Sequence, residues 1–230
     1  MDYNLISVIL PVHNQAGHIE SAVEKYIDAL KKNPLPCEII LALNGCTDSS
    51  MEICGRLKEK HKNIKVTALA ESGWGRAVIA GLKASGGDLL CFTNSSRTSE
   101  GDLLDALLCA ADSPGSVVKA DRKIRHSRIR KIGSMLYNIE CRMLFDLPCR
   151  DINGTPKIFP RRFEKLLNLT ENGDLIDLEF NIICREEGYP IIEFPVFSSF
   201  RHGGRSTTGF GSALKMFGKA FLIWRGRNKR

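Results

Sequence analysis

Three clusters of small polar residues, each placed directly after an apolar run, carry the chemistry of this chain. Ile6–Leu10 runs into Pro11-Val12-His13-Asn14-Gln15, Ile39–Leu43 into Asn44-Gly45-Cys46-Thr47-Asp48, and Leu89–Phe92 into Thr93-Asn94-Ser95-Ser96. In an open α/β sheet the ligand sits in the crevice outside the carboxyl ends of such strands. Three polar strand ends of this kind therefore describe one site, built to hydrogen-bond its ligand through amides and hydroxyls. A site that held a metal would need carboxylates at its ligand positions, where amides and hydroxyls stand instead. Basic residues gather elsewhere. KADRKIRHSRIRK, residues 119–131, holds seven Lys or Arg against one Asp, and the final RGRNKR holds four basic groups and no acid. Such clusters read either as solvated faces or as contacts for phosphate-bearing partners: nucleotides, anionic lipid or nucleic acid. Nucleic acid is not expected, because the basic run has no interleaved aromatics and no recognised module around it.

The elements that must position these clusters follow from hydrophobic period. Strands are expected at Ile6–Leu10, Glu38–Leu43, Lys65–Leu69 and Leu89–Phe92, and helices at 18–31, near 47–61, around 75–85 and near 100–111. That alternation predicts a parallel sheet with helices on both faces. Asp48 and Ser49 are placed to cap the second helix. Past residue 112 the rhythm breaks. Ser116–Ala120 reads as a strand, Ile132–Leu147 as an apolar segment of helical spacing ended by Pro148, and Ile152–Phe159 as a strand or extended piece. Asp174–Glu187 reads as a helix closed by Gly188, Ile191–Phe197 as a strand, Ser198–Gly211 as a Gly/Ser/Thr-rich loop, and Ala213–Trp224 as an apolar helix running into the basic tail.

The bulk numbers agree with one globular domain. The chain has 230 residues, 43% hydrophobic and 26% charged, with a formal charge of +7. No apolar run approaches the ~20 residues of a membrane span. The N-terminal apolar run continues into a motif, so it is expected to be a first strand and not a signal peptide. Of eight cysteines, Cys91, Cys109, Cys141 and Cys184 lie in apolar segments, and no CxxC occurs. Eight reduced thiols, no zinc and a cytoplasmic location follow as expectations.

The pieces SVILPVHNQAGHI, EIILALNGCTDSS, ESGWGRAVIAGLKASGGDLLCFTNSSRT, RDINGTPKIFPRR, DLEFNIICREEGYPIIEFPV and FRHGGRST, in this order and spacing, resemble the inverting family 2 glycosyltransferases of the GT-A fold. Within that family the likeness is greatest to the polyprenyl-phosphate (dolichyl-phosphate) sugar transferases. The resemblance spans roughly residues 5 to 210. It implies an α/β, Rossmann-like GT-A domain over residues 1–212, with a mostly parallel sheet and helices on both faces, followed by an amphipathic helix and basic tail at 213–230.

The resemblance also implies roles. Pro11, His13, Asn14 and Gln15 match the loop that lines the nucleotide base and ribose, with Gln15 where the loop usually carries an acid. Asn44 stands where the family has an Asp that reads the base edge. Gly73, Gly75 and Arg76 match the loop beside the nucleotide. Asn94, Ser95 and Ser96 cover the family's D-x-D, whose two carboxylates hold Mg²⁺ or Mn²⁺ on the diphosphate. Here Asn94 and Ser96 replace both, with Asp48 and Glu100 the nearest acids, so three options stand open: a metal held through substrate phosphates, diphosphate stabilisation by Arg and Lys, or lost transfer activity. Arg122, Arg130 and Ser134 resemble the set that grips a lipid phosphate, with Arg128 an alternative. Arg201 and the catalytic candidate Arg205 fall in the loop that closes over the diphosphate. Asp151 and Asp177 are the candidate general bases for a hydroxyl acceptor, whereas a phosphate acceptor needs no base. The implied function is sugar transfer from a nucleoside-diphosphate sugar to a polyprenyl phosphate by a protein peripheral at the cytosolic membrane face. A saccharide acceptor, or a GT-A pseudoenzyme with a binding role, are the alternatives.

Overall fold

The computed structural model describes residues 3–124, 128–197 and 210–227, with the side chains of 128–130 and 210–214 outside that description. Seven strands form one sheet: β1 (Ile6–Val12), β2 (Cys37–Asn44), β3 (Ile64–Leu69), β4 (Leu89–Phe92), β5 (Val117–Arg122), β6 (Lys157–Pro160) and β7 (Ile191–Val196). Their order across the sheet is β3-β2-β1-β4-β6-β5-β7. β1, β2, β3 and β4 pair in parallel, as do β5 and β7. β6 runs antiparallel to both of its neighbours, β4 and β5. β1 and β4 are buried along their whole length and carry no alternation, as strands covered on both faces must be.

The helices are α1 (Ile19–Leu30), α2 (Ser50–Lys60), α3 (Trp74–Ala84), α4 (Glu100–Ala111), α5 (Arg128–Phe145), α6 (Ile176–Glu186) and α7 (Phe210–Arg227). Each sheet face has its own core. Ile19, Val23, Tyr26, Ile27 and Leu30 of α1 recur at helical spacing and pack with Leu103 and Leu107 of α4 over Val8, Leu10, Ile39 and Leu41. On the other face Ala77, Val78 and Leu82 of α3 and Ile176 and Phe180 of α6 cover Ile9, Ile40, Leu90 and Phe159. A third cluster joins α5, α6 and α7 through Tyr137, Cys141, Leu178, Ile182 and Ala220. Burying each large apolar side chain of this kind contributes about 1.5–3 kcal/mol.

The sheet is mostly parallel, as expected, with β6 running against its neighbours. Other expectations need correction. The extended piece at 152–159 yields only the short strand Lys157–Pro160, since residues 151–156 turn, with Gly154 N–H donating to the Asp151 carbonyl. α5 begins at Arg128 and ends at Phe145, where Asp146 adopts a left-handed φ of 50° ahead of Pro148. Ser49 makes no capping bond; Asp48 alone accepts the Ser50 N–H, at 3.0 Å. All eight cysteines are free thiols, and burial pushes Cys37 up to about 11 and Cys184 up to about 12. Among the described residues no helix is long and apolar enough to cross a membrane. α7 packs on α5, with the Tyr137 and Phe217 rings edge to face at 5.5 Å.

Candidate functional site

The carboxyl ends of β1, β2 and β4 meet as expected, and their polar residues bind one another. Asn14, at a φ of 49°, turns its Oδ1 back to accept the Thr47 N–H at 2.8 Å. Gln15 Oε1 accepts the Ser95 hydroxyl at 2.7 Å and the Gln15 N–H donates to the Ser50 hydroxyl oxygen at 2.8 Å, so one residue ties β1 to both neighbours. His13 Nδ1 lies 2.7 Å from the Asn44 carbonyl. A carbonyl only accepts, so that nitrogen carries a proton and Nε2 is left for a ligand. Pro11 is buried within β1, and its carbonyl receives Gln15 Nε2 at 3.4 Å.

Asn44 does not present an open base-reading edge. Its Nδ2 donates to the Val12 carbonyl at 2.8 Å and its Oδ1 accepts the Gly73 N–H at 3.0 Å. An Asp at this position would set carboxylate against carbonyl, which is why an amide belongs here. The bond to Gly73 docks the start of α3 on the rim of the sheet. Segment 171–172 closes the same junction. A Cβ on Gly75 would lie 2.0 Å from the Glu171 carbonyl oxygen, and one on Gly73 would lie 2.6 Å from that of Asn172. The Arg76 N–H donates to Asn172 at 3.1 Å, while its guanidinium pairs with Glu71. Glu179 anchors this segment from α6, accepting the Thr170 and Glu171 N–H groups at 3.0 and 2.9 Å.

The 94–96 turn was tested as a metal site. Asn94 Oδ1 accepts the Ser96 N–H at 2.9 Å, and the Ser96 hydroxyl lies 3.3 Å from His18 Nε2. Asp48 is engaged elsewhere: it accepts the Ala16 N–H at 3.0 Å besides that of Ser50. Burial works against its charge, but these bonds hold its carboxyl below the usual range. Glu100 lies in the first turn of α4, where the helix dipole favours an acid. Among the described residues no three His, Cys, Asp or Glu converge. This donor set does not fit Mg²⁺ or Mn²⁺.

On the other half of the sheet, β5 ends in Arg122. Its Nε and Nη2 make a fork onto Asp151 at 2.7 and 2.9 Å, and its own N–H adds a third bond at 3.2 Å. Burial opposes the guanidinium charge, yet Asp151 outweighs it and raises the proton affinity of Arg122. Asp177 pairs with Lys157, which is 0% exposed and lies 5.6 and 5.8 Å from the centroids of the Phe92 and Phe180 rings. Both candidate bases thus sit in buried ion pairs. Ser134 is half-buried on α5. Arg130 also lies on α5, but its side chain falls outside the described residues, as do Arg201 and Arg205.

Sequence reasoning missed Lys119 and Lys157. They face each other across β5 and β6, both wholly buried. Lys119 reaches the Asp151 carbonyl and stands 3.5 Å from Glu193, whose Oε1 also accepts the Arg150 N–H at 2.7 Å. Lys119 was counted with the basic run, yet a Lys inside VVKAD, between apolar neighbours, is the mark of a charge with a buried partner. Asn181 Nδ2 holds the 149–152 loop through the Ile152 carbonyl at 3.0 Å. His18 was overlooked because it lies past the loop motif, at the start of α1.

Comparison with known proteins identifies the family and the fold. The model of the family described as glycosyl transferase family 2 matches residues 7–172. Glycosyltransferase AglD of Haloferax volcanii is 29% identical over 203 residues, 83% of this chain and 32% of its own length. Undecaprenyl-phosphate 4-deoxy-4-formamido-L-arabinose transferase of Serratia proteamaculans is 24% identical over 184 residues, 78% of this chain and 56% of its own. The chain therefore spans about a third to a half of the length of these relatives. Among solved structures, glucosyl-3-phosphoglycerate synthase from Mycobacterium tuberculosis, in complex with Mn²⁺, uridine diphosphate and phosphoglyceric acid, superposes with a TM-score of 0.75 at 18% identity. That match covers 96% of this chain and 78% of the other, and it shows the shared GT-A fold. With more than half of its length inside the family model, the chain belongs to glycosyl transferase family 2.

Proposed function

We propose that this chain is the catalytic domain of an inverting glycosyltransferase that moves a sugar from a nucleoside-diphosphate sugar to a polyprenyl phosphate at a membrane surface. The donor lies over the ends of β1, β2 and β4, between the His13 imidazole and the 94–96 turn. The acceptor lies beside Arg122. One observation carries the choice of acceptor: the Arg122 guanidinium is held at the rim by the Asp151 fork, directly before a helix with an apolar outer face. On α5 Ile132, Met135, Leu136, Ile139 and Met143 are exposed, at spacings that place them in one stripe. Ile124, between Arg122 and α5, is exposed too. Lys131 and Arg142 are also exposed on α5, and α7 adds exposed Phe221, Leu222, Lys215, Lys219 and Arg225. An apolar stripe bordered by cations suits the interface of an anionic bilayer.

The chemistry follows from this placement. A phosphate monoester is already anionic near neutral pH, so its oxygen attacks the anomeric carbon in line with the departing diphosphate and needs no base. The bond from the anomeric carbon to the donor's diphosphate oxygen breaks as the new carbon–oxygen bond forms, and the configuration inverts. Two charge-assisted bonds to a phosphate suit a guanidinium whose plane is already fixed. In this reading Asp151 and Asp177 are positioning residues.

The test offers labelled UDP- and GDP-sugars with a polyprenyl phosphate, the matching polyprenol, or a saccharide. Transfer to the phosphate alone is expected. Transfer to the saccharide would overturn the acceptor assignment. Donor binding without transfer to any acceptor would make the protein a binding subunit.

A further inference from the structure

The family's two metal-holding carboxylates are replaced here, and the replacements form a particular kind of surface. Ser95 and Ser96 are buried at 1% and 2% exposure, so their hydroxyls are fixed and not free rotors at the surface. Several acceptors in and beside the turn are occupied from within the chain. Asn94 Oδ1 takes the Ser96 N–H at 2.9 Å, and the Asn94 carbonyl takes the N–H groups of Arg97 and Thr98, both at 3.0 Å. The Thr98 carbonyl takes the Tyr26 hydroxyl at 2.7 Å, and Thr93 and Thr98 bond each other through their hydroxyls, also at 2.7 Å. Among its side chains the turn keeps donor chemistry for a ligand. The Asn94 Nδ2 protons bond no described residue, and the Ser96 hydroxyl stands against the His18 ring. A carboxylate pair attracts a cation and repels phosphate. This turn has the opposite polarity.

We infer that the 94–96 turn, with His18 behind it, hydrogen-bonds the donor diphosphate directly, so that the nucleotide is bound with no protein-held divalent cation. Asn94 Nδ2 offers its protons to the diphosphate oxygens, and Ser96 Oγ offers its own when His18 supplies the proton between them. His18 sets the Ser96 hydroxyl: as a neutral ring it accepts from Ser96, and as an imidazolium it donates to Ser96 and frees that hydroxyl's proton for phosphate. This inference rests on the donor half of the proposed function, that a nucleoside diphosphate occupies these strand ends.

The experiment is calorimetric titration of UDP, GDP, CDP and dTDP into the wild type in EDTA and in Mn²⁺, with the same titrations into N94D/S96D and S96A. The nucleotide that binds the wild type is expected to do so within about twofold in EDTA and Mn²⁺, since no interaction runs through the ion. N94D/S96D should lose about tenfold in EDTA, from carboxylates facing phosphate, and regain it in Mn²⁺. S96A should weaken binding several-fold, equally in both buffers. Wild-type binding that falls tenfold or more in EDTA overturns the inference and leaves the donor reading intact. Equal, unweakened binding by S96A and N94D/S96D in EDTA overturns it as well, because the turn then does not touch the diphosphate. If none of the four nucleotides binds in either buffer, the inference and the donor reading fall together. Circular dichroism on each variant separates loss of binding from loss of fold.

Discussion

Lys157→Met removes the cation from a pair in which both partners are out of water. Lys157 is 0% exposed and the Asp177 side chain 8%, with the Phe92 and Phe180 rings closing the space around the amine. Burial lowers the proton affinity of Lys157, and Asp177 counters that, so the charge survives only by the pairing. Taking away the amine leaves a buried carboxylate without its hydrogen-bonded counter-charge. Such a loss costs about 3–5 kcal/mol. At roughly 2–4 °C per kcal/mol for a domain of this length, Tm should fall by about 6–20 °C. The double variant Lys157→Met/Asp177→Leu removes both charges, fills the space with apolar atoms, and should return to within about 1 kcal/mol of the wild type or exceed it. Urea unfolding of the four proteins of this double-mutant cycle measures the coupling. A cost below about 1 kcal/mol for Lys157→Met, or no recovery in the double variant, would refute the reasoning. Asp177 would then be in contact with solvent, and its candidacy as a general base would reopen.

Three further outcomes follow from particular contacts. Gly75→Ala places a Cβ 2.0 Å from the Glu171 carbonyl and must push segment 171–172 off α3, lowering both Tm and nucleotide affinity; Gly55→Ala, in α2 with nothing within 4 Å, should instead raise stability by about 0.5–1 kcal/mol in the same unfolding assay. Burial of Glu38 works against its charge, but Lys65, the Ser7 hydroxyl and the Gly86 N–H outweigh that and hold its carboxyl below the usual range. Its contribution is therefore fully present above the unfolded value of about 4.3 and lost as pH falls through the lower folded value, so the stability difference between wild type and Glu38→Gln should vanish below that window. Ile139→Glu puts a charge in the middle of the exposed α5 stripe and should abolish co-sedimentation with anionic vesicles while leaving Tm within a few degrees, because the side chain makes no core contact.

The first half of the chain was readable because each element there obeys a local rule. β1, apolar but for Ser7, and β4 are short hydrophobic runs that end in polar clusters marking the rim, and α1 repeats its apolar residues at helical spacing. The second half depends on long-range pairing. Nothing within KIFP says that it will run against β4 and β5, and past residue 112 no alternation of elements remains to guide the pairing. At the site, residue types at the strand ends were legible but their engagements were not. Asn44 reads as a ligand-facing amide until its two ends are seen to hold Val12 and Gly73. Asp151 reads as a base until Arg122 is seen forked onto it. A carboxylate's partner, thirty residues away in sequence, decides its role, and spacing alone does not reveal which cation that partner is.

The reversed strand β6 also governs the order in which the sheet becomes complete as the chain is synthesised. β1 to β4, with their helices, form a contiguous four-stranded unit from the first part of the chain, and β4 is its free border. That border, Leu89-Leu90-Cys91-Phe92, is apolar, uncharged and free of proline, the composition that templates pairing with other chains. It stays open until β6, the next strand to reach it, has left the ribosome, because β5 is made first but does not touch β4. For that interval the nascent protein carries an aggregation-competent edge at the centre of its future sheet. Slowed translation between β4 and β6 would lengthen the exposure, so solubility on expression should depend on the codons of that stretch more than on those of any other.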